Sequence, residues 1–229
     1  MPRPVRKRTF HEAGRTLTLE TRGGHVELMI GDVPILTSAA LGTERDFGAL
    51  AARFATRPDS RTLVGGLGFG STLRGALASV GPDARVLVVE RLATVVKLGR
   101  GELAPLFEGA LEDPRVSLLR KDVAEVIAQE RDLDAILLDV DNGPEWASFP
   151  DNARLYDARG LAAAMRALRP GGAYAVWSGY EADGFQADLR DAGFVTSVIL
   201  LREKGRVQAR VYVGTKPAHA APKGTHTTR

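Results

Sequence analysis

The hydrophobic period of the chain changes near residue 60. Before that point, residues 15–21, 25–30 and 33–36 are apolar or alternating over strand lengths, and Gly23-Gly24 and Gly31-Asp32 between them have hairpin-turn composition. They predict a small β-appendage over residues 15–42. Residues 43–54 read as a helix. Thr43 is a candidate N-cap, Glu44 and Asp46 would lie in the first turn, Leu50 and Phe54 share a face, and Arg57-Pro58-Asp59-Ser60 is the breaker.

From residue 61 onward, apolar runs of strand length alternate with amphipathic segments of helix length, a pattern that builds a parallel sheet with crossover helices. Strands are expected at 62–65, 86–90, 116–119, 135–139 and 173–178. Leu73, Ala76, Leu77 and Val80 share one helical face, and Leu161, Ala164, Met165 and Leu168 repeat the spacing before Arg169-Pro170-Gly171-Gly172 stops that helix. Phe185, Leu189 and Ala192 suggest a last helix, and residues 195–201 and 206–213 flank Lys204-Gly205 as a hairpin. The fold class is therefore α/β: a doubly wound, mostly parallel Rossmann-like sheet with an antiparallel C-terminal hairpin and a small N-terminal β-appendage. Residues 1–14 read as a basic tail, 43–215 as the Rossmann-like domain and 216–229 as a disordered tail.

At 229 residues the chain has room for one large domain with an appendage. It contains no cysteine, which excludes disulfides, a thiol nucleophile and thiolate metal ligation and fits a cytoplasmic protein. Of the four histidines, His219 and His226 lie in the polar tail, while His11 and His25 read as surface residues, so no metal site is expected. The net charge of +3 has a local origin. Residues 1–8 and 216–229 carry seven basic residues and no acid, which leaves a mildly acidic body. Basic ends without interleaved aromatics do not predict nucleic-acid binding, and no apolar run predicts a membrane partner.

In a doubly wound sheet, ligands bind beyond the carboxyl ends of the strands. After the first strand comes Gly65-Gly66-Leu67-Gly68-Phe69-Gly70-Ser71-Thr72, where glycines permit close backbone approach to a nucleotide. Glu90 ends the second strand twenty residues beyond Gly70, where an acid can accept both ribose hydroxyls. This pair suits a nicotinamide dinucleotide or an adenosyl-sulfonium cofactor equally. Asp122, after the third strand, can take an adenine amino proton or cap the helix from Val123. Asp139 and Asp141, after the fourth, can face the reactive end of a cofactor.

Val-Gly-Gly-Leu-Gly-Phe-Gly-Ser-Thr-Leu-Arg at 64–74, Val-Leu-Val-Val-Glu at 86–90, Asp-Pro-Arg-Val at 113–116, Lys-Asp-Val at 121–123, Leu-Leu-Asp-Val-Asp at 137–141 and Leu-Arg-Pro-Gly-Gly at 168–172 resemble the spermidine synthase family, a branch of the class I adenosylmethionine-dependent methyltransferase fold. The resemblance spans roughly residues 26–178. It implies S-adenosylmethionine or its decarboxylated form as cofactor, held by Gly66, Leu67, Gly68, Phe69, Gly70, Glu90, Arg91, Asp122, Val123 and Asp139. It also implies a small-molecule acceptor and a homodimer, as is common in the family. Asp139 matches the family's catalytic carboxylate, with Asp141 second and Tyr156 as a pocket hydroxyl.

The departures from the family give the expectation a direction. The family's glycine-loop aspartate falls on Phe69, its second aspartate after strand four on Asn142, and its Tyr-His-Glu near Phe47-Gly48-Ala49. Few carboxylates then remain for a polyamine. Repulsion between a loop carboxylate and the carboxylate of intact adenosylmethionine at ~4 Å is about 4 kcal/mol at an effective dielectric of ~20, nearly three decades in affinity. Phe69 removes it. The expected function is methyl transfer from adenosylmethionine to a non-polyamine small molecule. The alternatives are aminopropyl transfer to putrescine or a related amine, a non-catalytic nucleotide-binding paralogue and, most weakly, nicotinamide-dependent oxidoreduction. Trp146 and Phe149 are candidates for an apolar lid over the acceptor.

Overall fold

A computed structural model describes residues 5–39, 41–145 and 150–218. Trp146 and Phe149, the candidate lid, lie outside the described residues, as do His219 and His226. The chain opens with four antiparallel strands in sequential order: β1 (Arg6–Glu12), β2 (Arg15–Arg22), β3 (His25–Ile30) and β4 (Val33–Thr37). β1 corrects the reading of residues 1–14 as a tail. Its residues are mostly exposed, so no apolar alternation betrays it, yet it pairs in register with β2 across the two-residue turn Ala13-Gly14, where both residues have positive φ. Arg6, Lys7 and Arg8 also blunt its open edge against further strand pairing.

Next come α1 (Gly42–Ala49) and α2 (Ala51–Phe54), the one expected helix divided at Leu50. The second sheet then alternates strand and helix: β5 (Arg61–Gly65), α3 (Ser71–Ser79), β6 (Arg85–Val89), α4 (Ala93–Arg100), the short α5 (Ala104–Phe107), β7 (Val116–Leu119), α6 (Val123–Gln129), β8 (Leu133–Leu138), α7 (Ala158–Ala167), β9 (Leu168–Ser178), α8 (Asp183–Asp191), β10 (Val195–Glu203) and β11 (Arg206–Thr215). Its strand order is β10-β11-β9-β8-β5-β6-β7, with β5 to β9 parallel and the final hairpin antiparallel. Every residue of β8 is buried, as a central strand covered on both faces requires. The fold class read from the sequence is the one observed.

β9 begins five residues before its expected start, so Leu168 heads a strand and does not end a helix. Pro170-Gly171-Gly172 is carried inside that strand. Gly171 N–H donates to the Lys216 carbonyl at 2.9 Å, Lys216 N–H donates to the Gly172 carbonyl at 2.8 Å, and the β8–β9 register shifts at Leu133/Ala135 to absorb the irregularity. Lys216 is thus held in the fold and does not open the tail.

Two contacts fasten the layers. Glu12 reaches across to accept the backbone N–H groups of Ala93 and Thr94 at 2.6 and 2.8 Å, so a carboxylate from β1 caps the positive end of α4. α1 and α3 meet backbone to backbone. A Cβ on Gly48 would stand 2.0 Å from the Thr72 carbonyl oxygen, and one on Gly75 2.0 Å from that of Arg45. At the opposite end of the sheet from the strand carboxyl ends, the fully buried Asp134 side chain is paired with Arg57 and Arg169 and accepts the Arg61 N–H. Among the described residues no helix is long and apolar enough to cross a membrane.

Candidate functional site

After β5 the chain runs outward through β6 and β7, then returns to place β8 on the other side of β5. The crevice beyond the carboxyl ends of β5 and β8 is therefore the switch point where such sheets bind ligands. A cleft of about 660 Å³, including its open mouth, lies there. Gly66 and Gly68 form its floor, Glu90, Asp122 and Asp139 stand around it, and Ile35 and Leu36 of β4 wall it from the N-terminal sheet.

Gly66 is indispensable to this floor. Its φ is +90°, and a Cβ there would lie 2.2 Å from the carbonyl oxygen of Asp139, so the bare backbone allows the loop to press against the end of β8. Gly70 has a different task from the one expected. A Cβ on it would meet the Phe107 ring at 2.5 Å, and it does not line the cleft. Phe69 also turns away, buried among Leu28, Val95 and Leu98. Gly66 and Gly68 are thus the loop positions that face the cleft, and neither offers a carboxylate. Leu67 contributes its N–H and packs its side chain in the core.

Glu90 is nearly buried, and its two carboxylate oxygens accept the N–H groups of Leu67 at 3.0 Å and Leu92 at 2.7 Å. Burial pushes its pKa up, against the pull of these bonds. Each carboxylate oxygen keeps a second lone pair for a hydroxyl from the cleft. Asp122 caps α6, accepting Ala124 N–H at 2.9 Å, and pairs with Arg154 at 2.7 Å. The capping role weighed in the sequence is thus present, and Asp122 also borders the cleft. Arg91 and Val123 line the same cleft, and Arg91 pairs with Asp151 at 3.5 Å.

Asp139 follows β8, across β5 from the strand that carries Glu90, and its carboxylate is hydrogen-bonded to the Thr72 hydroxyl. The same hydroxyl lies 3.3 Å from the Glu44 carbonyl oxygen. Burial raises the pKa of both acids. Glu44 is pushed up to about 9 by burial and by the charge of Asp139, and Asp139 to about 6 by burial, with Thr72 pulling the other way.

Asp141 and Tyr156 stand apart from this cleft. Asp141 is buried, accepting Asn152 Nδ2–H at 3.0 Å and the Tyr156 hydroxyl at 3.2 Å, and neither Asp141 nor Tyr156 lines the cleft. Tyr156 packs edge-on against Phe185 and is a core residue. The Asp-Pro-Arg-Val signature is also structural: Arg115 holds Asp113 through two nitrogens, at 2.8 and 3.0 Å, and reaches the Val80 carbonyl at 3.1 Å.

A second cleft of about 870 Å³, open to solvent, adjoins the first through Ile35 and Leu36. It lies between β3, β4 and the C-terminal hairpin, and its charged lining is Glu27, Glu44 and Glu203, with Trp177 beside them. These three carboxylates stand apart from the motifs on which the expectation of few acids was based. The acids come from β3, α1 and β10, three segments whose convergence no linear motif announces. In the sequence, Glu44 is only a first-turn acid of its helix. Among the described residues no cluster of His, Asp or Glu could hold a metal ion.

No protein-family profile matches the chain. Among curated proteins it is similar to ribosomal RNA small subunit methyltransferase H of Stenotrophomonas maltophilia, strains K279a and R551-3, each 27% identical over 117 residues, 50% of this chain and 34% of the relative. The match thus spans about a third of the length of these relatives. Among solved structures it is similar to a spermidine synthase in complex with the transition-state analogue AdoDATO, with TM-score 0.71 and 16% identity over 93% of this chain and 72% of that one. Spermidine synthase from Thermotoga maritima gives 0.72 and 17% over 93% and 73%. A probable spermidine synthase from Corynebacterium glutamicum gives 0.60 and 21% over 91% and 79%. The chain has the spermidine synthase fold, as the resemblance of its motifs implies.

Proposed function

We propose that this protein is a transferase that uses an adenosyl-sulfonium cofactor and moves a methyl group from S-adenosylmethionine to a small amine. The observation that carries this reading is the adjacency of two unlike clefts that share Ile35 and Leu36, one lined by Asp139 and the other by Glu44. One has a ribose acid and a glycine floor without a carboxylate. The other is lined by three glutamates and no basic side chain.

The residues fit the cofactor. Glu90 would accept its ribose hydroxyls, Asp122 its adenine amino group, and Gly68 would leave room for it. When bound, S-adenosylmethionine supplies a methyl group on a positively charged sulfur. The protein's own part would be to hold the acceptor nitrogen in line and to receive its proton, and we assign both tasks to Asp139, the acid after β8 that lines the cleft. Three glutamates disfavour a phosphate backbone at the second cleft, so the relative named for ribosomal RNA does not set the acceptor class.

A second reading, aminopropyl transfer from decarboxylated adenosylmethionine, is favoured by the same acid-lined cleft. The two part at the glycine loop, where a carboxylate would repel intact adenosylmethionine and Gly68 does not. Isothermal titration with each cofactor separates them. Adenosylmethionine should bind at least as tightly as its decarboxylated form, and Glu90→Ala should weaken both by about tenfold or more. Tight binding of the decarboxylated form alone replaces methyl by aminopropyl transfer. Binding of neither removes the transferase reading, and binding without turnover on an amine panel leaves a nucleotide-binding protein.

A further inference from the structure

The boundary between the two clefts is built from two sides. On one, the Thr72 hydroxyl is bonded to the Asp139 carboxylate of the first cleft and lies 3.3 Å from the main-chain carbonyl of Glu44, a residue that lines the second. On the other stand Ile35 and Leu36, the two described residues that line both clefts. Neighbours on a regular strand point to opposite faces, so β4 could not ordinarily offer both to one wall. A bulge breaks the alternation. Leu28 of β3 pairs with Leu36 and Met29 with Pro34, which leaves Ile35 as an extra residue with no partner on β3. Such a residue bends its strand and re-aims its side chain. Pro34, just before it, has no N–H with which to restore the regular ladder there. The two side chains then do different work. Leu36 stands over the glycine floor, its Cδ2 3.5 Å from where a Cβ on Gly68 would lie. Ile35 is half-buried, and branching at Cβ leaves it few rotamers.

We propose that Ile35 is the specificity-determining residue of the transfer: it narrows the boundary so that an acceptor nitrogen can approach the methyl carbon on the cofactor's sulfur and not the first carbon of a three-carbon arm. This rests on the reading of the first cleft as the cofactor's and the second as the acceptor's. In either transfer the nitrogen's lone pair forms the new N–C bond, the electron pair of the broken C–S bond returns to sulfur, and the nitrogen's proton passes to Asp139. The attacked carbon must face the nitrogen in line, so the width of the boundary decides which carbon that is. A methyl carbon needs room for its hydrogens alone. The first carbon of an aminopropyl arm needs room for the rest of the arm, and a stiff, β-branched neighbour does not fold aside to give it. Gly66 and Gly68 thus admit intact adenosylmethionine, and Ile35 selects the arm that is used.

Isothermal titration of the full chain with adenosylmethionine, and with the analogue that carries propyl in place of methyl on sulfur, reads this width without turnover. The wild type should bind the propyl form at least about tenfold more weakly, the usual cost of added methylenes in a filled apolar site. Ile35→Ala should recover most of that loss while its affinity for adenosylmethionine stays within about twofold. Ile35→Val, one methylene shorter, should recover part of it. Val33→Ala, at an exposed residue of the same strand that lines neither cleft, should recover none. The inference is overturned if the wild type binds both forms alike, or if neither Ile35 variant regains the propyl form. Should Ile35→Ala not fold, Ile35→Val and the wild-type ratio decide. Adenosylmethionine that binds the wild type with either of those overturning results leaves the transferase reading standing and removes this inference alone; adenosylmethionine that does not bind removes the reading itself, and the inference with it.

Discussion

Gly66 and Gly68 occupy one loop, yet alanine at each should have unequal consequences. Both have positive φ, +90° and +50°, so alanine at either place adds about 1–2 kcal/mol of backbone strain. At Gly68 little else happens, because the new methyl would meet only the Leu36 side chain at 3.5 Å, an ordinary contact. At Gly66 it would sit 2.2 Å from a backbone carbonyl at the end of β8, and the strand end must move. Overpacking of that kind adds about 1–3 kcal/mol. Gly66→Ala should therefore lose roughly 2–5 kcal/mol and Gly68→Ala roughly 1–2 kcal/mol. At about 2–4 °C per kcal/mol for a domain of this size, thermal melts should separate the two variants by several degrees. The displaced atom belongs to Asp139, so Gly66→Ala should also weaken adenosylmethionine binding more than an equal loss of stability elsewhere. Equal melting temperatures for the two variants would refute the close approach of loop and strand on which this site is built.

Glu12→Gln should lose about 1 kcal/mol, the worth of a cap. Burial raises the Glu12 pKa, but its bonds from Thr94 and Ala93 lower it more, so the folded value lies below the usual one. The gap between wild type and variant in melting temperature should be full above the ordinary glutamate range and close as pH falls through the lowered value; a gap that widens on acidification contradicts the cap. Asp134→Ala strips two arginines of a fully buried partner. Both arginines keep some contact with water, so a loss of about 3 kcal/mol in urea unfolding is expected, at the low end for a broken buried pair. Tyr156→Phe removes one bond to Asp141, so stability should fall by about 1 kcal/mol while cofactor affinity stays within about twofold. A larger drop in affinity would return Tyr156 to the site.

The sheet was legible because burial on both faces writes itself as uninterrupted apolar runs, as in residues 135–138. Glu90 was legible for a related reason, since a strand end and a glycine turn fix its place. β1 was not, because an exposed ribbon needs no apolar face, and its Ala13-Gly14 turn is a quieter signal than Gly23-Gly24. Phe69 misled because alignment along a loop assigns a position, whereas the local dihedrals decide whether the side chain enters the cleft or the core. Glu44 was hidden because its placement depends on two helices touching through Gly48 and Gly75, a contact between segments about 27 residues apart that has no local pattern. Asp141 looked like a second catalytic acid because proximity in sequence to Asp139 does not reveal that its oxygens are already engaged by Asn152 and Tyr156.

β4 lends Ile35 and Leu36 to both clefts, so the N-terminal ribbon is a shared partition and not an ornament on a self-sufficient nucleotide module. A chain shortened to begin near residue 42 would keep its glycine turn and Glu90 but would leave the first cleft unroofed on one flank. Changes in the ribbon and the terminal hairpin would then reshape the second cleft while the glycine turn and Glu90 stay as they are.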